Sequence, residues 1–450
     1  KNSKIYIQRM VAVADEKSTV DSEFSTGTVP LSERRNLGSL VFTWIGYVFT
    51  VTIMSAGGQI ASGASSFGQA MGAVYIGYAI LFLIAMATSI ISMRTGLSFG
   101  LISRFSFGTN GAKLISFFTT VTLCGWFSIN CYLMGDVTHV LFPVIPRWPV
   151  TLLFGALMVF SALKGQKVMN YIGMFACVAV FVVGITAVIV GIKDANTIYE
   201  GGIFAIQKDA QMTMTQLITI AVGSCVCGCC SWAPDLMRFS KDYKTTTGVM
   251  AIGLGICGPF MLLIGIVGML VYGQYDIAYI LKEQGLLSMA FIGLFANIWS
   301  TAQGNAYSSS LNLASIFTKV KREKLLVIFG VIGTVIGLFG LYRYFSAWLS
   351  FLATAFPPMA GVVIADYVVS WRGKPPALEK AMPHLDAWNW PGLICYAIGV
   401  STKWWFPDIG IPAINSFVVT MILEAACAYI WLRKRSDAIK QTIESEAETA

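Results

Sequence analysis

A run of polar residues from Asn297 to Ser310 interrupts an otherwise apolar stretch of the sequence. Asn297, Ser300, Thr301 and Gly304 recur at i, i+3, i+4 and i+7, which places them on one face of a helix. Side-chain and backbone oxygens are the ligands that hard cations such as sodium prefer. The pattern predicts either a site for a small cation or a set of hydrogen bonds between helices.

Trp126 and Asn130 stand at i and i+4, so an indole ring and an amide share one face of a second helix. A flat heterocycle can stack on the indole, and the amide can donate to and accept from the edge of that ring. The pair therefore favours a site for a planar, polar ring. Ordinary packing of the tryptophan is the alternative.

Two apolar stretches also contain residues that interrupt helices. The first, near 38–62, carries Gly46 and the pair Gly57–Gly58, and the second is Ser224–Asp235. Interrupted segments at corresponding positions of two halves indicate the binding site of a transporter with inverted repeats. For the first stretch, close helix packing through small residues is the alternative.

The composition excludes an ordinary soluble protein. Of 450 residues, 56% are hydrophobic and 12% are charged, whereas a globular chain carries about 25% charged residues. The net charge of +8 comes from basic residues in short gaps between apolar stretches rather than from one basic patch. We therefore expect a lipid-embedded chain that does not bind nucleic acid.

The ten cysteines lie in apolar stretches, and four of them, Cys225, Cys227, Cys229 and Cys230, are close neighbours. These four point around several faces of a helix and have no histidine near them. A disulfide framework and a metal site are both disfavoured, and small packing residues are the better interpretation.

A bilayer core of about 30 Å needs about 20 apolar residues of helix. Counting such runs predicts twelve spans, with 25 of the 31 Lys and Arg residues on one side of the membrane, so we expect both termini in the cytoplasm. The spans lie near 38–62, 70–93, 113–141, 148–163, 171–192, 214–236, 248–273, 285–317, 324–341, 344–368, 388–404 and 411–432.

Acidic residues at membrane depth raise the question of proton coupling. Asp136 lies well inside the third span and is a candidate for a proton relay, although a structural role with a buried partner is the preferred interpretation. Asp366, near the end of the tenth span, is expected to pair with Arg372.

Several motifs resemble the nucleobase:cation symporter-1 family, particularly its bacterial cytosine permease and purine-cytosine permease branch. The likeness runs from residue 29 to about residue 430 in an ordered set of motifs. These are Val29–Arg34, Arg94–Leu97, Arg104–Gly108, Gly125–Phe127, Asn297–Thr301 and Phe356–Pro358 with Ile364–Tyr367.

The resemblance implies an all-α membrane protein with a LeuT-type fold of two five-helix inverted repeats and two extra helices. It implies a cytoplasmic arm at 1–37, repeats at 38–192 and 214–368, extra helices at 388–432 and a cytoplasmic tail at 433–450. The family imports nucleobases or related rings together with a cation. We therefore expect a transporter rather than an enzyme, monomeric and located in the inner (plasma) membrane.

The resemblance also implies specific ligands. Sodium would be bound by the carbonyls of Gly46, Phe49 and Asn297 and by the hydroxyls of Ser300 and Thr301. The substrate site would contain Thr50, Trp126, Asn130, Cys225, Val226, Gln303 and Asn305.

The chain departs from the cytosine permease branch at several of these positions. That branch has aromatic residues where Thr50 and Val226 stand and a serine where Cys225 stands. It has asparagine and then aspartate where Ala302 and Gln303 stand. Trp126 with Asn130 is instead similar to the hydantoin and fungal purine-cytosine members. The alternative to sodium-coupled nucleobase import is therefore a proton-coupled symporter of a related ring, such as hydantoin, allantoin or a thiamine-precursor pyrimidine.

Overall fold

The computed structural model describes residues 27–163, 166–317, 319–406 and 409–449. Most of the predicted N-terminal arm, residues 1–26, lies outside the described residues. Within the described ranges the chain is helical and contains no β-strand, only the isolated bridges Arg35–Ser240 and Ser66–Gln207. The expected all-α class is confirmed.

The helices follow the predicted spans closely and add four shorter or terminal elements, α4, α12, α16 and α19. In chain order they are α1 (Leu37–Val48), α2 (Val51–Gly63), α3 (Phe67–Thr95), α4 (Phe99–Phe107), α5 (Thr109–Leu141), α6 (Arg147–Leu163), α7 (Gln166–Ile198), α8 (Met214–Cys227), α9 (Ala233–Met237), α10 (Tyr243–Met250), α11 (Gly258–Tyr272), α12 (Ile277–Glu283), α13 (Leu287–Ile316), α14 (Arg322–Leu338), α15 (Phe345–Ala365), α16 (Leu378–Ala381), α17 (Trp390–Trp405), α18 (Pro412–Cys427) and α19 (Arg433–Thr449).

Among the described residues, six helices are long and apolar enough to cross a membrane, or eight if each of two bent pairs counts as one span. The chain is therefore an integral membrane protein, whereas the number twelve remains a prediction. Helices α6 and α14 have 17 residues and α17 has 16, fewer than the roughly 20 that a straight crossing needs. The polar run in α13 lowers the mean hydropathy of that helix, and α13 is not one of the six.

The first bent pair joins α1 and α2 at an angle of 55°. The helix breaks at Phe49 and Thr50, where Thr50 is extended with φ −127° and ψ 142°. Gly57 does not unwind the helix; a Cβ there would lie 1.9 Å from the carbonyl oxygen of Leu262 in α11. The pair Gly57–Gly58 therefore permits close helix packing, which was the alternative interpretation. The span is interrupted as expected, but the break lies at Phe49 and Thr50 rather than at Gly46 or Gly57–Gly58.

The second bent pair is α8 with α9, and the bend there is 47°. A π-helical turn, Gly228–Trp232, joins the two helices inside the predicted segment Ser224–Asp235. A Cβ at Gly228 would lie 2.2 Å from the ring of Tyr47. Glycine at this turn thus lets the two broken helices approach each other.

The broken helices pack in a symmetric way. Helix α2, from the first predicted span, packs against α11 of the seventh, and α8, from the sixth, packs against α3 of the second. Helices α5 and α13, from the third and eighth spans, pack against each other. If spans one to five are exchanged with spans six to ten, the contact between spans one and seven becomes the contact between spans six and two. The contact between spans three and eight stays the same. Two structural repeats give such a pattern of contacts.

Helices α17 and α18 pack on α15 outside this arrangement, and α18 continues through a π-helical turn into α19. Asp366 does not pair with Arg372, as the sequence suggested. Asp366 begins the π-helical turn Asp366–Ser370 after α15, and its Oδ2 accepts hydrogen bonds from Ser106 Oγ at 3.0 Å and Trp371 Nε1 at 3.1 Å. Arg372 instead pairs with Asp437 of α19 at 2.7 Å.

Candidate functional site

A cavity of about 730 Å³ lies between the two broken helices and α5, α7 and α13. It runs from Ile53, beyond the first helix break, to Phe42 and Thr43 in the first half of α1, so it reaches toward the end of the bundle at which α1 begins. Among the described residues that line it, none carries a formal charge. Its polar lining residues include hydroxyl, thiol and amide side chains: Thr43, Tyr47, Thr50, Thr52, Cys177, Ser224, Cys225, Cys227, Ser300, Thr301 and Asn305.

The side chain of Asn297 holds the break between α1 and α2. The backbone N–H of Val51 donates to Asn297 Oδ1 at 3.0 Å, and Asn297 Nδ2 donates to the carbonyl oxygen of Phe49 at 2.7 Å. The side chain thus replaces the partners that a continuous helix would give these two groups. Asn297 is 2% exposed, so water does not provide an alternative partner.

Three of the predicted sodium ligands converge on one turn of α13. Ser300 Oγ and Thr301 Oγ1 donate to the carbonyl oxygen of Asn297 at 3.0 and 2.9 Å. Both hydroxyl residues also line the cavity, as does Gly46. The carbonyl of Phe49 is held beside this turn by the Asn297 amide.

The donor set consists of neutral carbonyl and hydroxyl oxygens. Such oxygens fit a small, hard, monovalent cation better than a soft metal, which favours sulfur or imidazole. No group of three or more His, Cys, Asp or Glu side chains that could hold a metal occurs in the described ranges. The sodium ligand set remains a prediction.

Four of the seven predicted substrate residues line the cavity. They are Thr50, Trp126, Cys225 and Asn305. Thr50 Oγ1 lies 2.9 Å from Thr52 Oγ1, so a hydroxyl pair faces the cavity at the helix break. Asn305 is 5% exposed, and its Nδ2 has no hydrogen-bond partner within the described part of the chain.

The other three predicted substrate residues, Asn130, Val226 and Gln303, are buried and are not among the lining residues. Asn130 Nδ2 donates to the carbonyl oxygen of Trp126 at 2.7 Å. Gln303 Oε1 accepts a hydrogen bond from Ser161 Oγ in α6 at 2.8 Å. In this conformation Gln303 is thus bound to α6 rather than to the cavity surface.

Trp126 stands on edge against two aromatic rings of the α15 region. Its ring centroid lies 6.2 Å from that of Phe345 and 6.4 Å from that of Trp348, each at an interplanar angle of 79°. These contacts fix the plane of the indole at the cavity surface.

Sequence reasoning missed an aromatic cluster that lines the same cavity. Trp44 and Tyr47 stack with their centroids 5.3 Å apart, and Tyr47 lies 4.4 Å from Trp232 of the second broken helix. All three residues line the cavity. The spacing of Trp44 and Tyr47 at i and i+3 was a signal in the sequence, whereas their approach to Trp232 was not.

The opposite end of the cavity is closed by contacts of α2, α5, α6 and α15. Ser346 Oγ donates to Gln59 Oε1 at 2.7 Å. Asp136 Oδ1 lies 2.8 Å from Arg147 Nε in an ion pair, and the aspartate side chain is 3% exposed. Asp136 is therefore partnered and buried, and it is not among the residues that line the cavity.

Comparison with known proteins identifies relatives along almost the whole chain. Residues 28–430 match the protein family described as permease for cytosine/purines, uracil, thiamine and allantoin. A cytosine permease of Escherichia coli (strain K12) is 29% identical over 419 residues, which are 92% of this chain and 94% of the relative. A hydantoin permease of Microbacterium maritypicum is 23% identical over 404 residues, covering 82% of this chain and 81% of the relative.

Solved structures share the fold. The inward-facing conformation of Mhp1 matches with a TM-score of 0.81 at 19% identity, covering 93% of this chain and 97% of that one. Mhp1 in a closed conformation with bromovinylhydantoin bound, a nucleobase-cation-symport-1 family transporter, matches with a TM-score of 0.77 at 20% identity, covering 91% and 95%. The fold expected from the resemblance is therefore that of a known transporter.

Proposed function

The chain belongs to the family of permeases for cytosine/purines, uracil, thiamine and allantoin, and on that premise we propose that it imports a neutral, planar nucleobase-type ring together with sodium by alternating access. The relatives are permeases, so the chain is a transporter rather than an enzyme. The observation that carries the proposal is one uncharged cavity lined by both broken helices, by Trp126 and by the hydroxyls of Ser300 and Thr301.

The lining of the cavity supports a neutral ring as substrate. A charged substrate in a low-dielectric site needs a charged or strongly dipolar partner, and the described lining residues include no ionised group. Trp126 offers an aromatic face for stacking, and Asn305 Nδ2 is a buried donor without a partner. A ring with a carbonyl oxygen would satisfy that donor.

The arrangement around Asn297 supports sodium as the coupling ion. A cation bound by the carbonyls of Gly46, Phe49 and Asn297 and by the hydroxyls of Ser300 and Thr301 would tie α1 to α13 across the helix break. Such a cation changes the relative stability of two conformations only if its ligands separate in one of them. Because the ligands lie on two different helices, relative movement of α1 and α13 makes the affinity for sodium depend on conformation.

The direction of the cavity supports an inward-open state. The excess of Lys and Arg on one side predicts that both termini are cytoplasmic, and the cavity reaches toward that predicted cytoplasmic end through Phe42 and Thr43. The opposite end is covered by Gln59, which contacts Ser346. Substrate bound from outside would therefore require the contacts between α2 and α15 to separate.

A second candidate is transport of a related ring such as hydantoin, allantoin or a thiamine-precursor pyrimidine, with protons as the coupling ion. It is favoured by the hydantoin permease relative and by Thr50 and Val226, which stand where the cytosine permease branch has aromatic residues. A proton relay through Asp136 at the substrate is disfavoured, because that carboxylate pairs with Arg147 away from the cavity.

The test is uptake of labelled cytosine by proteoliposomes with an inward sodium gradient, compared with an equal gradient of a large organic cation. Unlabelled purines, pyrimidines, hydantoin and allantoin serve as competitors. We expect sodium-dependent uptake that at least one of these rings inhibits. Uptake that follows a proton gradient and ignores sodium would refute the choice of ion, and absence of competition by every ring would refute the substrate class.

A further inference from the structure

The cavity also opens to the side of the molecule, between α1 and α7. Three of its lining residues are large, apolar and exposed: Phe42 at 75%, Met174 at 73% and Val178 at 66%. Residues that line a cavity and also lie on the outer surface mark a gap in its wall. We call this gap the side slot and define it by Phe42, Thr43 and Gly46 of α1 and by Gly173, Met174 and Val178 of α7.

Glycines on both helices confirm that the side slot is open space. Among the described residues, a Cβ at Gly46 or at Gly173 would have no atom of another helix within 4 Å. Further along the two helices the space closes, because Phe49 and Phe181 stack with their centroids 5.8 Å apart and an interplanar angle of 14°. The slot is therefore a bounded gap between two helices that are in contact beyond it.

The side slot lies at the depth of lipid hydrocarbon. At a rise of 1.5 Å per residue, Gly173 and Val178 are about 10 and about 18 Å from the start of α7 at Gln166. The same residues lie in the first half of the predicted span 171–192. On α7 the exposed surface continues past the slot through Val182 and Ile189, which are 57% and 62% exposed. The slot is thus continuous with the surface that α7 presents to the predicted cytoplasmic leaflet.

The walls of the side slot favour hydrocarbon over water. Thr43 donates its hydroxyl proton to the carbonyl oxygen of Ser39 at 3.4 Å, and the other defining residues are apolar or glycine. A buried water typically makes about three hydrogen bonds, which these walls do not supply. An empty slot would forfeit the dispersion contacts of its walls, whereas a hydrocarbon chain makes those contacts and needs no hydrogen bond.

We propose that the side slot binds one acyl chain of a phospholipid from the surrounding leaflet. The chain enters between α1 and α7, packs on Phe42, Met174 and Val178, and reaches the indole of Trp44 in the cavity wall. It ends before the hydroxyls of Thr50 and Thr301, because hydrocarbon offers those groups no hydrogen bond. The acyl-chain site differs from the proposed ring and sodium sites and depends on neither the ring nor the ion that is carried.

The experiment is photochemical labelling from a lipid tail. The protein is reconstituted in proteoliposomes that contain a phosphatidylcholine with a diazirine midway along one acyl chain, without sodium or a ring. After irradiation, mass spectrometry locates the labelled residues. Trp44 reports on the slot, because it lines the cavity and is 1% exposed, so lipid outside the protein does not reach it. Val182 reports on the ordinary lipid-facing surface.

We expect label on both Trp44 and Val182 in the wild-type protein. A phosphatidylcholine with the diazirine on its headgroup should leave Trp44 unlabelled, since the proposed ligand is the tail. Gly173→Leu fills the open space in the slot, so the ratio of label on Trp44 to label on Val182 should fall about tenfold. Gly255→Leu is the matched control, because a Cβ there also has open space, and Gly255 is exposed and does not line the cavity. This variant should keep the wild-type ratio.

Four results would overturn the proposal. Label on Val182 without label on Trp44 would mean that water or a second copy of the chain fills the slot, and labelling of Trp44 from the headgroup would exclude a tail as the ligand. An unchanged ratio in Gly173→Leu would exclude the slot as the route, and an equal fall in Gly255→Leu would indicate a general change in packing. The wild-type measurement needs no substitution. A failed cytosine uptake assay would refute the proposed substrate without changing the labelling, and missing label on Trp44 would leave the proposed transport intact.

Discussion

Substitution of Asn297 by alanine tests the claim that one side chain holds the break in the first helix. The amide makes two hydrogen bonds across the break, from Val51 N at 3.0 Å and to Phe49 O at 2.7 Å. Val51 and Phe49 are 1% and 4% exposed, so water does not replace the lost partners. Each unpaired buried polar group costs about 1–3 kcal/mol, which gives about 2–6 kcal/mol for the pair.

The same substitution should weaken sodium binding, because Asn297 positions the carbonyl of Phe49 beside Ser300 and Thr301. If only about 1.4 kcal/mol of the lost energy falls on the sodium-bound state, the affinity for sodium decreases tenfold. The assay is the thermal unfolding midpoint of the detergent-purified protein at increasing sodium concentration. We expect a lower midpoint without sodium and a sodium response shifted to at least tenfold higher concentration.

Asn305→Ala is the matched control, since it removes the same amide from the same helix. Asn305 is 5% exposed, and its Nδ2 has no partner in the described ranges. We expect little change in the midpoint or in the sodium response, together with weaker binding of the ring. A wild-type midpoint and sodium response in Asn297→Ala would refute the reasoning about the helix break.

Three further outcomes follow from the same geometry. Thr301→Val keeps the side-chain shape and removes one sodium ligand, so sodium activation of uptake should require at least tenfold more sodium; unchanged activation would exclude this ligand. Gly228→Ala places a Cβ 2.2 Å from the Tyr47 ring, so uptake should fall at least tenfold while the protein remains folded, as size-exclusion chromatography would show. Gly57→Ala places a Cβ 1.9 Å from Leu262 O; the unfolding midpoint should fall sharply, whereas Gly46→Ala, with open space at its Cβ, should leave it nearly unchanged.

Much of the helical framework could be predicted from the sequence because it depends on local properties. Apolar runs of about 20 residues mark stretches that lipid stabilises as helix, and the observed helices begin and end within a few residues of these runs. The polar face at Asn297, Ser300, Thr301 and Gly304 follows from helical periodicity alone. Gly228 and Pro234 likewise marked the second break in the chain itself.

The position of the first break required the tertiary structure. Gly46 and Gly57–Gly58 are the residues that locally favour unwinding, yet the helix breaks at Phe49 and Thr50. There the side chain of Asn297, 246 residues away from Val51, replaces the lost backbone partners. A membrane helix can break only where another part of the protein forms hydrogen bonds with the freed N–H and C=O groups. The local sequence does not show where such a hydrogen-bond partner lies.

Partners that are remote in sequence also explain why some predicted site residues do not lie where they were expected. Gln303 belongs to the polar run of α13, but its side-chain oxygen accepts a hydrogen bond from Ser161 of α6 instead of facing the cavity. Tyr47 meets Trp232 only because Gly228 leaves room between two distant helices. The sequence by itself determined which segments are helical, which side chains share a face and which family they resemble. Only the tertiary structure decided which side chain satisfies which partner, because hydrogen-bond pairing and packing depend on distances between helices that are remote in sequence.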